Sequence, residues 1–437
     1  MTVSDDFSGP DDFSGQDDFS GPDDLSGPGS SVPDDFLWGV STSAFQIEGS
    51  FTAAGRRPSV WDSFPAFEGQ DASEACDHYR RYREDVGLMR SLGVGAYRFS
   101  VSWPRVLAGD LAFYDRLVDE LLESGIAPVL TLYHWDTPLA VEEAGGWLNR
   151  DTAHRFAEYA ATVGGRLADR VAMWIPINEP AMVTLLGYAT GQHAPGKALL
   201  YDALPTAHHL NLAHGLAVQA LRSAGARAVG TANNHTPAWP AGPADVPAAE
   251  AYSDLHNWLY ADAQLAGRYP DSLADRLPIV DGDLAITSAP LDFYGVNYYN
   301  PTRLRLPSEG NPLPFELTDI DEYPKTGFGW PVVPSGLSEM VSLLRNRFVD
   351  LPPVYVTESG CSYPHSLEDT ERIEYLDGHV EEALKAGVRG YFVWSLMDNF
   401  EWDSGYSQRF GLVHVDYATQ RRTPRASYEW YRDRIAR

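Results

Sequence analysis

Two glutamates stand out because each follows directly on a buried apolar run. Glu179 ends the segment VAMWIPINE at 171–179, and Glu358 ends PVYVTE at 353–358. A carboxyl in that position must face a pocket or a buried partner, because burying a charge alone is unfavourable. Each glutamate by itself is compatible with a salt bridge at the rim of the fold. As a facing pair they match glycoside hydrolysis, which needs a proton donor on one side of the bond and a carboxylate on the other.

Other polar and aromatic residues occupy the same kind of position. The ends of seven of the eight apolar runs carry Gln46 and Glu48, Arg98, His134-Trp135-Asp136, Asn178-Glu179, Asn297-Tyr298-Tyr299, Glu358, and Trp394 with Glu401-Trp402 further on. Such residues are expected to point into a shared pocket or to find buried partners. The pattern predicts a polar pocket lined by aromatic rings.

These residues need elements that bring the ends of the runs together. The eight runs cover 36–40, 94–100, 126–133, 171–177, 228–234, 291–297, 353–358 and 388–395. Their apolar character is continuous rather than alternating, as in strands covered on both faces. Helical patterns separate them, among others at 77–93, 111–125, 150–168, 203–225 and 369–387. Several of these patterns end in Gly, which commonly terminates a helix.

Eight strand–helix units in one chain predict a single (β/α)8 TIM barrel, an α/β fold. A doubly wound open sheet is the alternative, but no phosphate-binding glycine fingerprint follows the first run. In a barrel the carboxyl ends of all strands meet at one face, where catalytic residues lie. Strands four and seven lie across from each other, so Glu179 and Glu358 are expected in one pocket. If their carboxyls lie about 5–5.5 Å apart, configuration is retained.

The first residues form a different kind of segment. Residues 5–28 consist of the hexapeptides DDFSGP, DDFSGQ, DDFSGP and DDLSGP. A repeat so short, acidic and interrupted by Gly and Pro cannot bury enough surface to offset chain entropy. We predict a disordered tail over 1–32 and a catalytic domain over 33–437. A cation-binding repeat is the alternative, but the Gly and Glu spacing of an EF-hand loop is missing.

Charge and cysteine content limit the partners. The 437 residues include 33 Lys and Arg against 61 Asp and Glu, a formal net charge of −28. So acidic a surface repels nucleic acid and anionic lipid, and neither is expected as a partner. Two cysteines cannot form a disulfide framework, and we find neither a signal-peptide pattern nor a membrane span, so a cytoplasmic protein is expected. His208, His209 and His214 lack the HExxH spacing and are expected to pack a helix rather than bind metal.

The ordered motifs resemble glycoside hydrolase family 1, the β-glucosidase family, from Phe36 to near the C-terminus. The matching stretches are FLWGVSTSAFQIEG, YRFSVSWPR, YHWDTP, NEP, GVNYY, VTESG and FVWSLMDNFEWDSGYSQRFGLVHVDY. The resemblance implies a retaining β-glycosidase that hydrolyses terminal β-D-glucosyl residues of small glycosides without a cofactor. β-Galactosyl and β-fucosyl groups stay open as further substrates, and so does the oligomeric state.

The resemblance also implies roles for single residues. Glu179 corresponds to the general acid/base and Glu358 to the nucleophile, which Arg98 and Tyr299 keep ionised. The substrate-binding residues implied are Gln46, His134, Trp135, Asn178, Asn297, Tyr299, Trp330, Trp394, Glu401, Trp402 and Phe410. Within this set, Trp394 is the platform under the sugar and Trp330 lies on the aglycone side.

Some positions depart from the family pattern. Ser359 stands where the family usually has Asn, and the segments 105–113 and 361–368 are short, so a more open mouth and an unusual aglycone are expected. Glu401 and Gln408 offer no cation to a sugar phosphate, which argues against a 6-phosphoglycosidase. Two alternatives use the same pocket: a transglycosylase with the same glycosyl-enzyme, and an inactive sugar-binding barrel.

Overall fold

The computed structural model describes residues 32–364 and 366–437. Eight of its strands form one parallel sheet: β1 (Leu37–Ser41), β2 (Ala96–Ser100), β3 (Ala127–Tyr133), β4 (Met173–Ile177), β5 (Gly230–Asn234), β6 (Phe293–Asn297), β7 (Val354–Ser359) and β8 (Gly390–Trp394). Each begins and ends within two residues of its predicted run. The tail predicted over 1–32 lies, except for Val32, outside the described residues.

The sheet closes on itself. Its strand order is β4-β3-β2-β1-β8-β7-β6-β5. The two outer strands of that order are joined by parallel bridges between Trp174 and Val229 and between Asn178 and Ala232. The predicted (β/α)8 barrel is therefore confirmed, and β7 is the third strand from β4 around it, after β5 and β6.

Helices cover the outside of the barrel. The longer ones span His78–Leu92, Ala112–Glu123, Asp151–Leu167, Leu204–Ser223, Ser335–Arg347, Thr370–Lys385 and Ala426–Ile435. The first ends at Gly93, whose φ of 84° lies in the left-handed region, and whose N–H donates to the carbonyls of Met89 and Arg90. Glycine adopts that conformation without a steric penalty, which explains why these patterns end in Gly. Within the described residues, no helix is both long enough and apolar enough to cross a membrane.

Additional elements surround the mouth of the barrel. After β4 the chain continues as Pro180–Met182 and the π-helical Val183–Thr190. After β5 it forms Val246–Ser253, a π-helical turn Asp254–Trp258 and Leu259–Ala266. A small sheet of Ala238–Pro240, Thr302–Arg305 and Glu316–Thr318 lies in the same region, and a hairpin of Val413–Asp416 and Arg421–Pro424 follows β8.

The interior of the barrel explains where polar side chains can go. A buried cluster inside the barrel consists of the apolar side chains of Ala96, Val129, Met173, Ile175, Ala232, Phe293 and Phe392. Phe392 fits only because Gly39 faces it, where a Cβ atom would lie 2.3 Å from the ring. Side chains alternate with a period of two along a strand, so Arg98 and Asn234 point to the same interior as Ala96 and Ala232. They lie one layer further toward the carboxyl ends.

A buried ionic cluster holds the segment after β8. Asp398 accepts hydrogen bonds from Arg425 at 2.9 Å and from Arg409 at 3.1 Å, and it contacts His414. Burial alone would raise the pKa of Asp398, but these three partners hold it below its ordinary range. The cluster holds the segment between β8 and the final helix in place. It is this segment that carries part of the site.

Candidate active site

Glu358 lies at the end of β7 beside two donors from neighbouring strands. Arg98, on β2, donates through Nη1 to Glu358 Oε1, and Tyr299, just after β6, donates to Oε2 at 2.8 Å. Burial raises the pKa of Glu358, while the guanidinium and the phenol oppose that rise because they favour the ionised form. Both oxygens have a donor, so this carboxylate is held in one orientation.

Arg98 makes three further hydrogen bonds, so that four of its five N–H donors are occupied. Nη1 also bonds the carbonyl of Thr357 at 3.0 Å, Nη2 donates to Asn178 Oδ1 at 2.6 Å, and Nε donates to Thr131 at 3.1 Å. A planar guanidinium with donors in all directions cannot rotate without breaking several bonds. Its positive charge therefore stays next to Glu358.

Glu179 has a different environment. Its backbone N–H donates to the carbonyl of Ala232 at 2.8 Å, and its φ of 46° turns the chain sharply at the end of β4. Oε1 accepts from Asn297 Nδ2 at 2.7 Å and from Asn234 Nδ2 at 3.1 Å. Burial, together with the negative charge of Glu358, raises the pKa of Glu179 to about 8. Glu179 therefore keeps its proton at neutral pH.

The two carboxyls are connected through a chain of side-chain hydrogen bonds. Asn178 Oδ1 accepts from Arg98 on one side and from Asn297 Nδ2 at 3.0 Å on the other. Asn297 Oδ1 in turn accepts from Thr357 at 2.7 Å. The amide orientations of Asn178 and Asn297 follow from these partners, and their positions relative to both glutamates follow with them.

A second polar group, formed by Gln46, Asn399 and Glu401, lies at the same end of the barrel. Gln46 donates through Nε2 to Glu401 Oε2 at 3.2 Å and to Asn399 Oδ1 at 2.9 Å. Burial and the charge of Glu358 raise the pKa of Glu401 to about 8. His134 Nε2 lies 3.2 Å from Asn178 Nδ2. Its pKa is well below the ordinary value, because burial and the charge of Arg98 disfavour an imidazolium, so the neutral ring accepts from the amide.

A cluster of aromatic rings lies beside these polar groups. Trp402 lies 4.6 Å from Trp135 and 5.9 Å from His134 between ring centroids, and Trp394 lies 5.7 Å from His134. Trp135 and Trp402 have backbone φ values of 72° and 52°, which residues other than Gly rarely adopt. Strain of this kind persists only where surrounding contacts impose it, and it is concentrated at functional sites.

The groups line one cavity of about 600 Å³. Ten of the predicted residues line it: His134, Trp135, Glu179, Tyr299, Trp330, Glu358, Trp394, Glu401, Trp402 and Phe410. The other four, Gln46, Arg98, Asn178 and Asn297, are buried behind them and position the lining residues. The cavity size is typical of a site for a small organic molecule.

Sequence reasoning missed Asn234. It ends β5, the one run to which no site residue was assigned, and yet it bonds directly to Glu179. Its Oδ1 accepts from His256 Nε2 at 2.9 Å, which leaves Nδ2 to donate to the carboxyl. The Asn at the end of the run 228–234 occupies the same position as the other site residues and could have been included on that basis.

Two histidines of the Leu204–Ser223 helix make hydrogen bonds to neighbouring elements, and the third, His214, is buried. His208 bonds Tyr269 Oη at 2.9 Å and Asp283 Oδ2 at 2.8 Å, and His209 bonds the carbonyl of Trp147 at 2.8 Å. Within the described residues, no group of three or more His, Cys, Asp or Glu side chains is arranged to hold a metal ion.

The chain is similar to known proteins over most of its length. The sequence profile of glycosyl hydrolase family 1 matches residues 29–437. A β-glucosidase of Agrobacterium sp. is 43% identical, over 91% of this chain and 94% of its own. A bifunctional β-D-glucosidase/β-D-fucosidase of Bifidobacterium breve is 39% identical, over 92% of this chain and 98% of its own. The crystal structure of the psychrophilic β-glucosidase BglU from Micrococcus antarcticus superposes with a TM-score of 0.89 at 44% identity, covering 93% of this chain and 97% of that one.

Proposed function

The chain belongs to glycosyl hydrolase family 1, and we propose that Glu358 and Glu179 carry out its reaction as nucleophile and general acid/base. It is a retaining β-glycosidase that acts on terminal β-D-glucosyl residues of small glycosides. The observation that supports the residue roles is the unequal environment of the two carboxyls. Glu358 faces a guanidinium, whereas Glu179 has only amide donors and a raised pKa.

The first step forms a glycosyl-enzyme. One carboxylate oxygen of Glu358 attacks the anomeric carbon and forms an ester bond, while the bond from that carbon to the aglycone oxygen breaks. The proton of Glu179 passes to the departing oxygen, so the aglycone leaves as a neutral alcohol. Arg98 and Tyr299 keep the attacking carboxylate ionised and correctly oriented.

The second step releases the sugar. Once Glu358 is an ester its negative charge is gone, and the pKa of Glu179, which burial first and that charge second had raised, becomes lower. Glu179 then removes a proton from a water molecule that attacks the anomeric carbon and breaks the ester. Two displacements at one carbon restore the original configuration. The two carboxyls titrate as a coupled pair throughout.

The sugar-binding roles are part of the proposal. Glu401 and Gln46 would bind sugar hydroxyls on one side, His134 would bind them on another, and Trp394 would lie against the apolar face of the ring. Buried polar groups of this kind discriminate strongly, because a sugar that lacks the matching hydroxyl leaves them unpaired. The relative from Bifidobacterium breve, which accepts both glucosides and fucosides by its name, makes β-fucosides the first alternative sugar to test.

The test compares nitrophenyl β-glucoside, β-galactoside and β-fucoside with the wild-type protein, Glu358→Ala and Glu179→Ala. We expect the wild-type protein to release nitrophenol and a sugar whose anomeric configuration is retained. Glu358→Ala should release no nitrophenol. Azide should restore that variant and give the glycosyl azide of inverted configuration, since the small anion fits where the carboxylate was removed. Glu123→Ala, on the exposed end of a barrel helix, is the matched control. Sugar binding without turnover of any β-glycoside would contradict the proposal and favour an inactive sugar-binding barrel.

Transglycosylation shares the first step and differs only in the acceptor. It would be seen as new glycosides when an alcohol is added to the same assay, so the two activities are separated by their products. We also propose a cytoplasmic location, supported by Cys76 and Cys361, both free and buried in the described part of the chain. Fractionation of the source cells tests it.

A further inference from the structure

Tyr299 holds Glu358 from a segment that lies outside the barrel sheet. Its hydroxyl donates to Glu358 Oε2 at 2.8 Å. β6 ends at Asn297 and the next strand begins at Thr302, so sheet hydrogen bonds do not fix the main chain of Tyr299. A hydrogen bond is only as well directed as the chain that carries its donor. Contacts other than those of the sheet must therefore hold Tyr299 in position.

Two main-chain groups of this segment are bonded to neighbouring elements. The N–H of Tyr298 donates to the carbonyl of Glu358 at 2.9 Å. The carbonyl of Tyr299 accepts from the hydroxyl of Tyr375 at 3.2 Å. Tyr375 lies on the Thr370–Lys385 helix, which follows β7 on the outside of the barrel. The first bond fixes the chain just before Tyr299, and the second fixes the peptide group that follows it.

Tyr375 is itself held firmly. It is 1% exposed, and its ring is stacked on that of His379 one helical turn further on, with the ring centroids 3.8 Å apart. Burial lowers the pKa of His379 to about 4, so the ring is neutral at neutral pH. Its Nδ1, 2.7 Å from the carbonyl of Tyr375, carries the proton that this bond requires. The Tyr375 hydroxyl consequently has little freedom to leave the Tyr299 carbonyl.

Ser359 adds a weaker contact from the strand of the nucleophile. Its Oγ lies 3.5 Å from Tyr375 Oη, which is longer than an ordinary O–H···O bond, and the serine is fully buried. The proton of Tyr375 is directed at the Tyr299 carbonyl, so the serine hydroxyl is the donor in this pair. The contacts run from Ser359 through Tyr375 and Tyr299 and return to Glu358, and so form a closed ring beside the nucleophile.

We propose that Tyr375 is a positioning residue for the nucleophile: it holds the main chain of Tyr299, so that the Tyr299 hydroxyl stays directed at Glu358. Tyr375 lies outside the cavity lining and acts on the reaction only through Tyr299. The inference rests on the proposed role of Glu358 and extends the support of that residue to a helix on the outside of the barrel.

The direction of the effect follows from what Tyr299 does to Glu358. Burial raises the pKa of Glu358, while Arg98 and the Tyr299 hydroxyl oppose that rise. The charged and titratable groups that face Glu358 are Arg98 from β2, Glu179 from the end of β4, Tyr299 after β6 and Glu401 after β8. Loss of the Tyr375 hydroxyl weakens only the contact from Tyr299. The pKa of Glu358 should therefore rise, and since attack needs the ionised carboxylate, the low-pH limb of kcat/KM should move to higher pH.

The test measures the pH profile of kcat/KM for nitrophenyl β-glucoside in the wild type and in Tyr375→Phe. The substitution removes one hydroxyl and keeps the ring that stacks on His379. At the optimum, kcat/KM should fall about 3- to 10-fold, the effect of one neutral hydrogen bond, and the low-pH limb should move upward. An unmoved limb would overturn the proposal whether or not activity falls, because a merely structural role leaves the pKa of Glu358 as it is.

Tyr431→Phe is the matched control. Tyr431 is also a buried tyrosine whose hydroxyl donates to main-chain carbonyls, those of Gly39 at 3.1 Å and Tyr391 at 3.2 Å, in β1 and β8 rather than beside the nucleophile. Its loss should lower Tm by an amount similar to that of Tyr375→Phe and leave the low-pH limb in place. A limb that moves equally in both variants would mean that the shift has no origin in the contact with Tyr299.

A double-substitution cycle locates the effect at Tyr299. In protein that already carries Tyr299→Phe, the further change Tyr375→Phe should alter kcat/KM by less than about twofold, because the hydroxyl that it positions is gone. If the two losses multiply, Tyr375 acts by another route and the proposal is wrong. Ser359→Ala removes only the long contact and should cost less activity than Tyr375→Phe. A larger loss would show that the serine, and not the tyrosine, holds the segment.

Two accompanying measurements separate this inference from the proposed function. Glu358→Ala is assayed with the same substrate, and carbon-13 NMR follows the titration of the Glu358 carboxyl without any need for turnover. A fully active Glu358→Ala would overturn the proposed function itself. If Glu358→Ala is inactive while Glu358 titrates in Tyr375→Phe as it does in the wild type, the function stands and only the role of Tyr375 is refuted.

Discussion

The pKa of Glu179 should fall when the negative charge of Glu358 is removed. In the unsubstituted protein it is about 8, because Glu179 is buried and faces a second carboxyl. Glu358→Gln keeps the size of the side chain and removes its charge. Burial of Glu179 and its hydrogen bonds from Asn297 and Asn234 are unchanged by that substitution, so any difference reports the interaction between the two carboxyls.

The expected size follows from Coulomb's law. Two charges about 5.5 Å apart, as in retaining glycosidases, interact by about 3 kcal/mol at an effective dielectric constant of about 20. That energy corresponds to about two pKa units. The positive charge of Arg98 is present in both proteins and does not enter the difference. We therefore expect the pKa of Glu179 to decrease by about two units and to stay above its ordinary value, because burial persists.

The decrease in the pKa of Glu179 affects the pH dependence of the reaction. Formation of the glycosyl-enzyme needs a protonated Glu179, so kcat/KM should decline as pH rises through about 8. In the glycosyl-enzyme Glu358 is a neutral ester, and the lower pKa makes Glu179 available as a base at neutral pH. The same residue thus serves both steps near one pH.

Carbon-13 NMR of protein labelled at the glutamate carboxyls measures the pKa of Glu179 directly. Glu179→Gln assigns the resonance, and titrations compare the wild type, Glu358→Gln and the trapped 2-fluoroglucosyl-enzyme. Glu123→Gln, at an exposed site, should leave the titration unchanged. A pKa of Glu179 that is the same or higher in Glu358→Gln would refute the electrostatic reasoning.

Three further substitutions probe the supports of the site. Tyr299→Phe removes a hydrogen bond to the charged Glu358, worth about 1.5–3 kcal/mol, so kcat/KM for nitrophenyl glucoside should drop about 10- to 100-fold. Asn234→Ala removes a donor that favours the ionised form of Glu179, so the high-pH limb of kcat/KM should move up by about 0.5–1 unit. Asp398→Asn leaves buried arginines without their counter-charge and should reduce the free energy of unfolding by about 3–5 kcal/mol, seen as a lower Tm. Because the pKa of Asp398 is held below its ordinary range, this stabilisation is present above about pH 4 and is lost as pH falls further.

Controls and contrary results differ among these substitutions. Asn300→Ala changes another amide in the cavity lining, which donates to the neighbouring carbonyl of Pro301, and should leave the pH profile unchanged. If the high-pH limb of kcat/KM is the same in Asn234→Ala as in the wild type, then Asn234 does not affect the pKa of Glu179. Full activity of Tyr299→Phe would show that Arg98 alone orients the nucleophile. A Tm of Asp398→Asn equal to the wild type would mean that the arginines find other partners.

Some features could be predicted from the sequence because their cause is local. Strands of a barrel are covered on both faces, so they are continuous apolar runs, and all eight were recognised within two residues at each end. Glu179 and Glu358 were recognisable because a carboxyl at the end of such a run is costly unless it faces a pocket. The grouping of ten predicted residues around one cavity follows from barrel closure, which brings the carboxyl ends together.

Other features depend on contacts between distant segments. Asn234 reaches Glu179 only because β4 and β5 close the barrel, and its amide is oriented by His256 from a turn more than 20 positions away. Neither contact leaves a periodic pattern in the sequence. The contact between Asp283 and His208 likewise leaves no pattern, because the two residues are far apart in the sequence.

The sequence by itself determined the fold class, the family and the identity of the two carboxyls, because hydrophobic periodicity and short motifs encode which residues end which strands. The family resemblance implied which carboxyl is the acid, but only the tertiary structure supplies the physical reason, because a pKa depends on burial and on charges brought close by folding. It also decided that Asn234 contacts Glu179, because that contact exists only where the end of β5 meets the end of β4.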